Sequence, residues 1–501
     1  MKKFNYFAMG LLAAATVSFS ACSSDDINST SQNQADGFYM TLTIKTPTSS
    51  DTRAAGTTYG TADESDVTSG TFFLVDASGK TVYTKTMAAN DWDNAKIPTQ
   101  NGSSSTNQVG STTLEIEVEK VVTGAEYYVY FLANETSSKT PWLNDVLSTA
   151  SKFSGDYSKA KNFVMFNQND GGVAANSYKV TFKDENKVKS TPAYVNNNSS
   201  TTIKLDRLVA RIDEPTSSVS EITTYTTTGS NDPSTQYQAA MADAKSKVKS
   251  VALKSYAIAN LADRGYVMQH WDNSALAMPT EGLNYFQSKD EFGTETKAEN
   301  LLDATNSFFL ATDGKKTSGY HSDYVFENAD ATDAKATTMY FEYKVTLDDT
   351  KFTPKADFSD GTFYRYNNVI YNRISDIYTK YGTVAGIFNK KTSDEVLTEI
   401  QAAKNGSNVE EDLSKIRKAY DIEIFNKGLT YYKQVITDSK NTTASTNNIY
   451  RNTIYKLNVS TIYNVGADVP NGKVNENALY YLACQVEVNP WVLNEQTVIF
   501  K

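Results

Sequence analysis

The sequence predicts a mainly β protein with a helical insertion in its second half, and three observations support this fold class. The 501-residue chain holds 32 Tyr, and 12% of its residues are aromatic, a composition that favours twisted sheets over helical bundles. Apolar and polar residues alternate in many of its apolar runs, with the period of a strand that buries one face. A helical period replaces that alternation from Tyr366 to Asp421.

Length and charge limit the architecture and the partners. A chain of 501 residues can form two domains, or three, each with its own core. The net charge is −10 and the isoelectric point is about 5.0. Because no basic run offers phosphates a partner, we expect no binding to nucleic acid.

The first 26 residues contain a targeting signal. Met1-Lys2-Lys3 is a charged start, Phe7–Phe19 is a short apolar core, and Ser20-Ala21 precedes Cys22. This pattern resembles a bacterial lipoprotein signal (residues 1–22), in which Cys22 becomes the lipidated first residue, and Ser23-Ser24-Asp25-Asp26 resembles the surface-export signal of Bacteroidetes lipoproteins. The alternative is an ordinary secretory signal with a chance cysteine. With Cys22 lipidated, Cys484 is the only thiol left, so no intramolecular disulfide is expected.

The stretch 37–55 predicts one strand followed directly by a site for proteolysis. Its apolar residues alternate with polar ones up to Pro47, and they are Phe38, Met40, Leu42 and Ile44. A short polar stretch follows, where a trypsin-like or arginine-specific protease could cut between Arg53 and Ala54. Cleavage there would release a strand that is already folded into a sheet and leave an apolar groove. Residues 23–53 are therefore predicted to be a propeptide with a temporary first strand.

Strand patterns continue up to residue 213. The predicted elements are a hairpin of Thr71–Asp76 and Lys80–Met87, a half-exposed strand that buries Leu114, Ile116 and Val118, a buried strand Tyr127–Ala133, and a closing stretch Thr201–Asp213. Asp213-Glu214-Pro215 then interrupts the pattern, which predicts a domain boundary between residues 54–213 and 214–501.

The second half combines strands with helices. The predicted strands are Val248–Ala259, Met339–Leu347, Leu429–Thr437, Thr453–Tyr463 and Leu479–Phe500, the last in two pieces around Asn489-Pro490-Trp491. One helix is predicted at Tyr237–Lys247, and others in the insertion at about 366–421. There, Ser393 is predicted to cap one helix, and Ser407 with Glu410 to form a capping box before the next.

No pattern points to catalysis, a cofactor or a metal. The two histidines, His270 and His321, lie in loop-like sequence without the spacing of a hydrolase or metalloprotease motif. Asp63, Glu64 and Asp66 could collect a calcium ion, but a solvated loop is the simpler interpretation. A carboxylate pair for glycoside hydrolysis depends on proximity in three dimensions, and nothing in the sequence singles one out.

Apolar, strand-like sequence continues to the last residues. A terminal strand this apolar needs a partner, either within its own sheet or in a neighbour's groove, where backbone hydrogen bonds supply affinity and alternate side chains supply register. A groove vacated by the first strand would be such a site. The candidate donor residues are Val486, Val488, Val498 and Phe500.

Several of these segments together carry a family resemblance. They are the Cys22 lipobox, the strand with Arg53, LDRLVARID (205–213), GLTYYKQVI (428–436), RNTIYKLNVSTI (451–462) and VEVNPWVLNEQTV (486–498). This set resembles the major-subunit family of Bacteroidetes type V pili, of the short-fimbria shaft fimbrillin type. The insertion at about 366–421 has no match in that resemblance.

The resemblance implies a structural protein with two transthyretin-like β-sandwich domains. It further implies an outer membrane lipoprotein precursor carrying palmitate on Cys22, cleavage after Arg53 by an arginine-specific protease, and strand exchange between copies. The implied partners are other copies of the chain and anchor or tip fimbrial subunits, in a surface fimbria that mediates adhesion or biofilm formation. The alternative is a non-polymerising surface lipoprotein or tip adhesin that binds glycans or host proteins through Trp92, Trp142 or Trp271.

Overall fold

The computed structural model describes residues from Gly37 onward, with gaps. The described residues are 37–46, 59–60, 62–96, 111–135, 147–148, 158–159, 162–169, 178–187, 199–227, 229, 232–272, 275–279, 283, 285–286, 310–311, 322–329, 335–353, 355–382, 387–438, 447–470, 482–490 and 492–493. Among them, no helix is both long and apolar enough to cross a membrane.

Fourteen strands and one helix form the part of the described chain up to Ser217. The strands are β1 (Phe38–Lys45), β2 (Tyr59–Gly60), β3 (Gly70–Asp76), β4 (Thr81–Met87), β5 (Ser111–Val118), β6 (Glu126–Ala133), β7 (Leu147–Ser148), β8 (Ser158–Lys159), β9 (Asn162–Phe163), β10 (Met165–Asn167), β11 (Lys179–Thr181), β12 (Ser199–Arg207), β13 (Ala210–Asp213) and β14 (Thr216–Ser217). Helix α1 spans Ala89–Ala95, and 3-10 helices lie at Ala62–Glu64 and Asp184–Lys187. The predicted hairpin is confirmed as β3–β4, the half-exposed strand as β5 and the buried strand as β6.

The first sheet has eight strands in the order β4-β3-β6-β10-β12-β1-β5, with β11 paired to β6. Strand β12 connects the two parts of this sheet, because Ser199–Lys204 pair with β1 and Leu205–Arg207 pair with β10. Apolar side chains on both parts, such as Phe131 and Ile203, are fully buried in one core.

The remaining described chain holds sixteen strands and four helices. The strands are β15 (Val248–Ala259), β16 (Leu261–Ala262), β17 (Gly265–Tyr266), β18 (Trp271–Asp272), β19 (Ala275–Leu276), β20 (Tyr285–Phe286), β21 (Leu310–Ala311), β22 (Ser322–Val325), β23 (Thr338–Leu347), β24 (Phe363–Tyr366), β25 (Val369–Tyr371), β26 (Glu423–Phe425), β27 (Leu429–Val435), β28 (Thr453–Ile462), β29 (Leu482–Pro490) and β30 (Val492–Leu493). The helices are α2 (Thr235–Lys247), α3 (Ile374–Tyr381), α4 (Ser393–Asn405) and α5 (Val409–Tyr420).

Two larger sheets organise this second half. One has the order β14-β28-β13-β22, with β29 along β28, and the other has the order β21-β15-β23-β27. The mainly β fold class is thus confirmed. The first strand of these two sheets is β13, which begins at Ala210, three residues after the end of β12. How many domains the chain forms, and the boundary after Asp213, remain predictions.

The helical insertion is confirmed, and it packs around a core of its own. That core includes Ile374, Ile377, Val396, Ile400, Leu413 and Ile416. Their spacing on α3, α4 and α5 is that of one helix face, which is why the period was readable in the sequence.

Both capping predictions in the insertion are wrong. The N-cap of α4 is Thr392, whose hydroxyl accepts from the Glu395 N–H (3.3 Å) while the Glu395 carboxylate accepts from the Thr392 N–H (2.7 Å). Ser393 is the first residue inside the helix, since only Thr392 has Glu three positions later. Helix α5 begins after Asn408 without a side-chain cap. With Asn408 as the N-cap, Glu410 is the second helical residue rather than the third, and it pairs with Arg417 (3.1 Å).

Candidate functional site

The candidate site is the groove that strand β1 fills between β5 and β12. Strand β1 runs antiparallel to β5, with pairs from Phe38–Val118 to Lys45–Ser111. It runs parallel to β12, with pairs from Met40–Ser199 to Lys45–Lys204. β1 therefore has a hydrogen-bonded neighbour on both sides, although it is the first described strand of the chain.

The inward face of β1 is buried along its whole length. The exposed fractions are 5% for Phe38, 0% for Met40 and Leu42, and 1% for Ile44. The Phe38 ring makes an edge contact with Phe182, with ring centroids 5.7 Å apart. The four residues predicted as the apolar face of a temporary strand thus form one continuous part of the core.

The outward face of β1 contacts polar side chains of β5. The Tyr39 hydroxyl donates to Glu117 Oε1 (3.2 Å), and Thr43 Oγ1 lies 3.2 Å from Thr113 Oγ1. Desolvation and the charge of Glu117 raise the pKa of the Tyr39 hydroxyl, so Tyr39 remains a neutral hydrogen-bond donor. These contacts help to fix the register of β1, because a slip by one residue would turn its apolar side chains outward.

The chain that follows the candidate cleavage site is held by a buried ionic network. Glu64 in the 3-10 helix Ala62–Glu64 is 4% exposed, and its carboxylate accepts from both Arg211 Nη1 (3.0 Å) and the Tyr324 hydroxyl (2.8 Å). Arg211 also forms a two-bond pair with Asp213 (2.7 and 3.1 Å). Attraction from Asp213 and Glu64 outweighs the cost of burial and raises the pKa of Arg211.

Neither sequence interpretation of Asp63, Glu64 and Asp66 describes this network. Glu64 is buried rather than solvated. Within the described part of the chain, no group of three His, Cys, Asp or Glu residues is arranged to hold a metal ion. The signal that could have revealed it is Arg211 in LDRLVARID, a basic residue in an apolar strand that needs a buried acid.

The same network reaches the end of β12. The Arg207 side chain is fully buried, and its Nε donates to the Glu64 carbonyl (2.7 Å) while its Nη2 donates to Ser65 Oγ (2.6 Å). Burial lowers the pKa of Arg207 to about 10, which still leaves it charged at neutral pH. Residues 64 and 65 are therefore fixed to β12 and β13 together.

The predicted donor residues divide into two groups. Val486 and Val488 lie in β29, whose backbone pairs antiparallel with β28, opposite Leu457 and Tyr455. After β29, Val492–Leu493 pairs parallel with Tyr59–Gly60. Val498 and Phe500 lie outside the described residues, as do Cys22, Arg53 and Ala54.

The tryptophans named for the alternative function do not form an exposed surface in the described chain. Trp92 is 1% exposed and packs against Phe131, with ring centroids 5.8 Å apart. Trp271 is half-buried, and its Nε1–H donates to the Asn169 carbonyl (2.5 Å). Trp142 lies outside the described residues.

Two segments of the chain match models of fimbrial protein families. Residues 39–207 match "Major fimbrial subunit protein (FimA)", and residues 423–497 match "Major fimbrial subunit protein type IV, Fimbrillin, C-terminal". The first segment coincides with the whole first sheet, from β1 to β12, and therefore includes the groove. The helical insertion lies between the two segments. Comparison with curated protein sequences gives no significant match.

Several solved structures of bacterial proteins are similar to this chain at low sequence identity. A fimbrilin (FimA) from Porphyromonas gingivalis has 15% identity and a TM-score of 0.41, covering 91% of this chain and 99% of that one. A proposed cell adhesion protein from Parabacteroides distasonis has 14% identity and a TM-score of 0.44, with the same coverage of 91% and 99%. The tip fimbrial protein Mfa3 from P. gingivalis has 10% identity and a TM-score of 0.31, covering 90% and 100%.

These matches support a fimbrial structural or adhesion role at the cell surface, which is a non-enzymatic one. Two separate segments of the chain, residues 39–207 and 423–497, are thus similar to major fimbrial subunit proteins.

Proposed function

We propose that this subunit is exported as an outer membrane lipoprotein on Cys22, cleaved after Arg53, and polymerised by β-strand donation as part of a fimbrial shaft. The observation that carries the proposal is the position of β1. It is buried between β5 and β12, yet it precedes Arg53 in the chain. Cleavage after Arg53 would leave β1 attached to the sheet by non-covalent contacts alone.

Spontaneous loss of β1 into water would be strongly unfavourable. Its four buried apolar side chains each contribute about 1.5–3 kcal/mol, so together they hold the strand with on the order of 6–12 kcal/mol. Backbone groups of two neighbouring strands would also lose their partners. A donor strand that enters as β1 leaves avoids both costs, which supports exchange with another subunit rather than a free open groove.

The chain after the cut is anchored independently of β1. Glu64 and Ser65 bind Arg207 and Arg211, and Tyr59–Gly60 pairs with β30. These contacts support a cleavage that frees β1 without unfolding the remaining subunit, because the new N-terminal segment stays tied to β12 and β13.

The partners follow from this sequence of events. Before processing, the lipid on Cys22 holds the precursor to the outer membrane, and cleavage after Arg53 by an arginine-specific protease separates the subunit from the propeptide 23–53 and from the lipidated Cys22. After processing, the groove receives a strand from another copy or from an anchor or tip fimbrial subunit. The resulting fimbria mediates adhesion or biofilm formation at the cell surface.

The test compares wild-type precursor with Arg53→Ala and with a matched control, Arg264→Ala. Arg264 is a partly exposed arginine beside Asp263 (3.4 Å), remote in sequence from the cleavage site. After treatment with an arginine-specific protease, wild type and Arg264→Ala should form ladders on a denaturing gel, and N-terminal sequencing should give Ala54. Arg53→Ala should remain a monomer. Equal ladders from all three proteins would exclude processing at Arg53.

A further inference from the structure

The polar face of the groove has an ordered distribution of charge. At the Tyr39 end of β1, strand β5 presents Glu117 directly opposite and Glu115 two residues further along. At the Lys45 end, β12 presents Lys204 directly opposite. A strand in the groove thus meets an acidic rim at one end and a basic rim at the other.

One further cation lies near the acidic end. Lys187 Nζ is 5.4 Å from the centre of the Phe38 ring, on the 3-10 helix Asp184–Lys187. It is paired with Asp184 (3.0 Å), so its charge is largely compensated within its own turn. Glu117 therefore remains the charge that an incoming strand meets opposite position 39.

Backbone hydrogen bonding does not select a direction for the incoming strand. Since β1 is antiparallel to β5 and parallel to β12, β5 and β12 run in opposite directions on either side of the groove. A strand in either orientation therefore has one parallel and one antiparallel neighbour. Side chains must decide the direction, and the charge order of the rims is a feature that distinguishes its two ends.

The sequence after β30 carries charges at both of its ends. Residues 494–501 read NEQTVIFK and number eight, the same as the residues of β1. On an extended strand, Val498 and Phe500 share one face with Asn494 and Gln496, and Glu495, Thr497, Ile499 and Lys501 share the other. In contrast, Val486 and Val488 flank the acid Glu487, and their strand β29 already pairs with β28.

We propose that residues 494–501 of a second copy enter the groove in the direction opposite to β1, so that Lys501 meets Glu117 and Glu495 meets Lys204. Val498 then takes the place of Leu42, and Phe500 that of Met40. This inference rests on the proposed strand donation. It adds the direction and the register of the donor strand, and it assigns Glu117 and Lys204 as the residues that determine specificity.

The same segment in the direction of β1 places like charges together. With Val498 again at the place of Leu42, Glu495 faces Glu117 and Lys501 faces Lys204. The reversed strand has two pairs of opposite charge where the other direction has two pairs of like charge. This difference favours binding in the reversed direction by roughly tenfold.

Engineered disulfides test the direction in assembled protein. In a Cys484→Ser background, Glu117→Cys is combined with Lys501→Cys in one variant and with Glu495→Cys in a second, and the precursors are processed and oxidised. Only the first variant should give ladders that survive boiling in detergent and collapse on reduction, since paired positions lie within disulfide distance. Ladders from the second variant alone would overturn the reversed direction while leaving strand donation intact.

Two other outcomes are equally decisive. Filaments without a crosslink in either variant would mean that another segment is the donor. A background protein that is cleaved but never assembles would overturn the proposed function itself.

Charge reversal gives an independent readout. Glu117→Lys and Lys501→Glu should each slow assembly by roughly tenfold, and the double variant should recover at least half of the loss. The arginine-specific protease leaves the introduced lysine intact. Glu119→Lys, which follows the last residue of β5, is the matched control and should assemble at the wild-type rate. Single variants that assemble normally, or a double variant without recovery, would contradict the Lys501–Glu117 pair.

Discussion

Lys45 of β1 lies directly opposite Lys204 of β12, so the strand proposed to leave the groove has a like-charged neighbour at its C-terminal end. Both side chains are exposed, and like charges opposite each other weaken a strand pair. The pairing is thus less favourable at the end of β1 that leads towards the candidate cleavage site.

Lys45→Glu should hold β1 more firmly. The variant replaces a repulsive pair with an attractive one, so the precursor should be stabilised against urea by about 0.5–1 kcal/mol. Assembly after cleavage should be several-fold slower, because exchange must displace a better-held strand. Lys85→Glu, on the partly exposed strand β4, serves as the control. Faster assembly of Lys45→Glu would refute the link between the retention of β1 and the rate of exchange.

Glu64→Gln should destabilise the subunit strongly. The substitution replaces a buried carboxylate that accepts from Arg211 and Tyr324 with a neutral amide, while Arg211 keeps its pair with Asp213, so a loss of about 1–3 kcal/mol is expected. Asp66→Asn, at an exposed position two residues away, should change stability by less than about 0.5 kcal/mol. Chemical denaturation of both precursors measures the difference. Equal effects would mean that Glu64 does not anchor this segment.

Thr392→Ala should cost about 1 kcal/mol of stability, and Ser393→Ala should cost much less. The reason is that Thr392, and not Ser393, closes the capping box with Glu395. The measurement is the thermal unfolding of the two variants under the same conditions, since each variant removes one of two adjacent hydroxyl groups. The reverse order of effects would place the N-cap at Ser393.

Asp468 should make the stability of the subunit depend on pH. It lies beside Arg417 (2.7 Å), but burial outweighs that attraction and raises the pKa of Asp468 from 3.8 to about 6. Because the folded state then holds the proton more tightly than the unfolded chain, the contribution is present below about pH 4 and is lost as the pH rises through 6.

The measurement is the unfolding free energy of wild type minus that of Asp468→Asn, from pH 3.5 to 7. This difference should decrease as the pH rises. Asp421→Asn, at an exposed position, is measured alongside as the matched control for removal of a carboxylate. An increase for Asp468→Asn would mean that Arg417, rather than burial, governs this carboxyl.

Local patterns were sufficient to locate the longer strands and the helices of the insertion, but not the short strands or α1. The alternation of Phe38, Met40, Leu42 and Ile44 fixes β1, and the helical spacing in the insertion fixes α3 to α5, because each periodicity reflects which side chains of one segment share a face. The N-cap residues were not predicted correctly. Thr392 and Ser393 are adjacent hydroxyl residues, and only the hydrogen bond to Glu395 in the folded chain identifies Thr392 as the N-cap. The resemblance of separate segments was enough to indicate the family.

Only the tertiary structure decided which strands become neighbours. The sequence does not determine that β1 lies between β5 and β12, because those pairings join segments more than 60 residues apart and depend on packing across the whole sheet. The same holds for Glu64, whose acidic surroundings in the sequence are typical of a loop, and whose buried partner Arg211 lies 147 residues away. The sequence by itself therefore determined which side chains line the faces of the first strand. The structure decided which charges border the groove, because a rim of Glu117 and Lys204 exists only once β5 and β12 hold β1 between them.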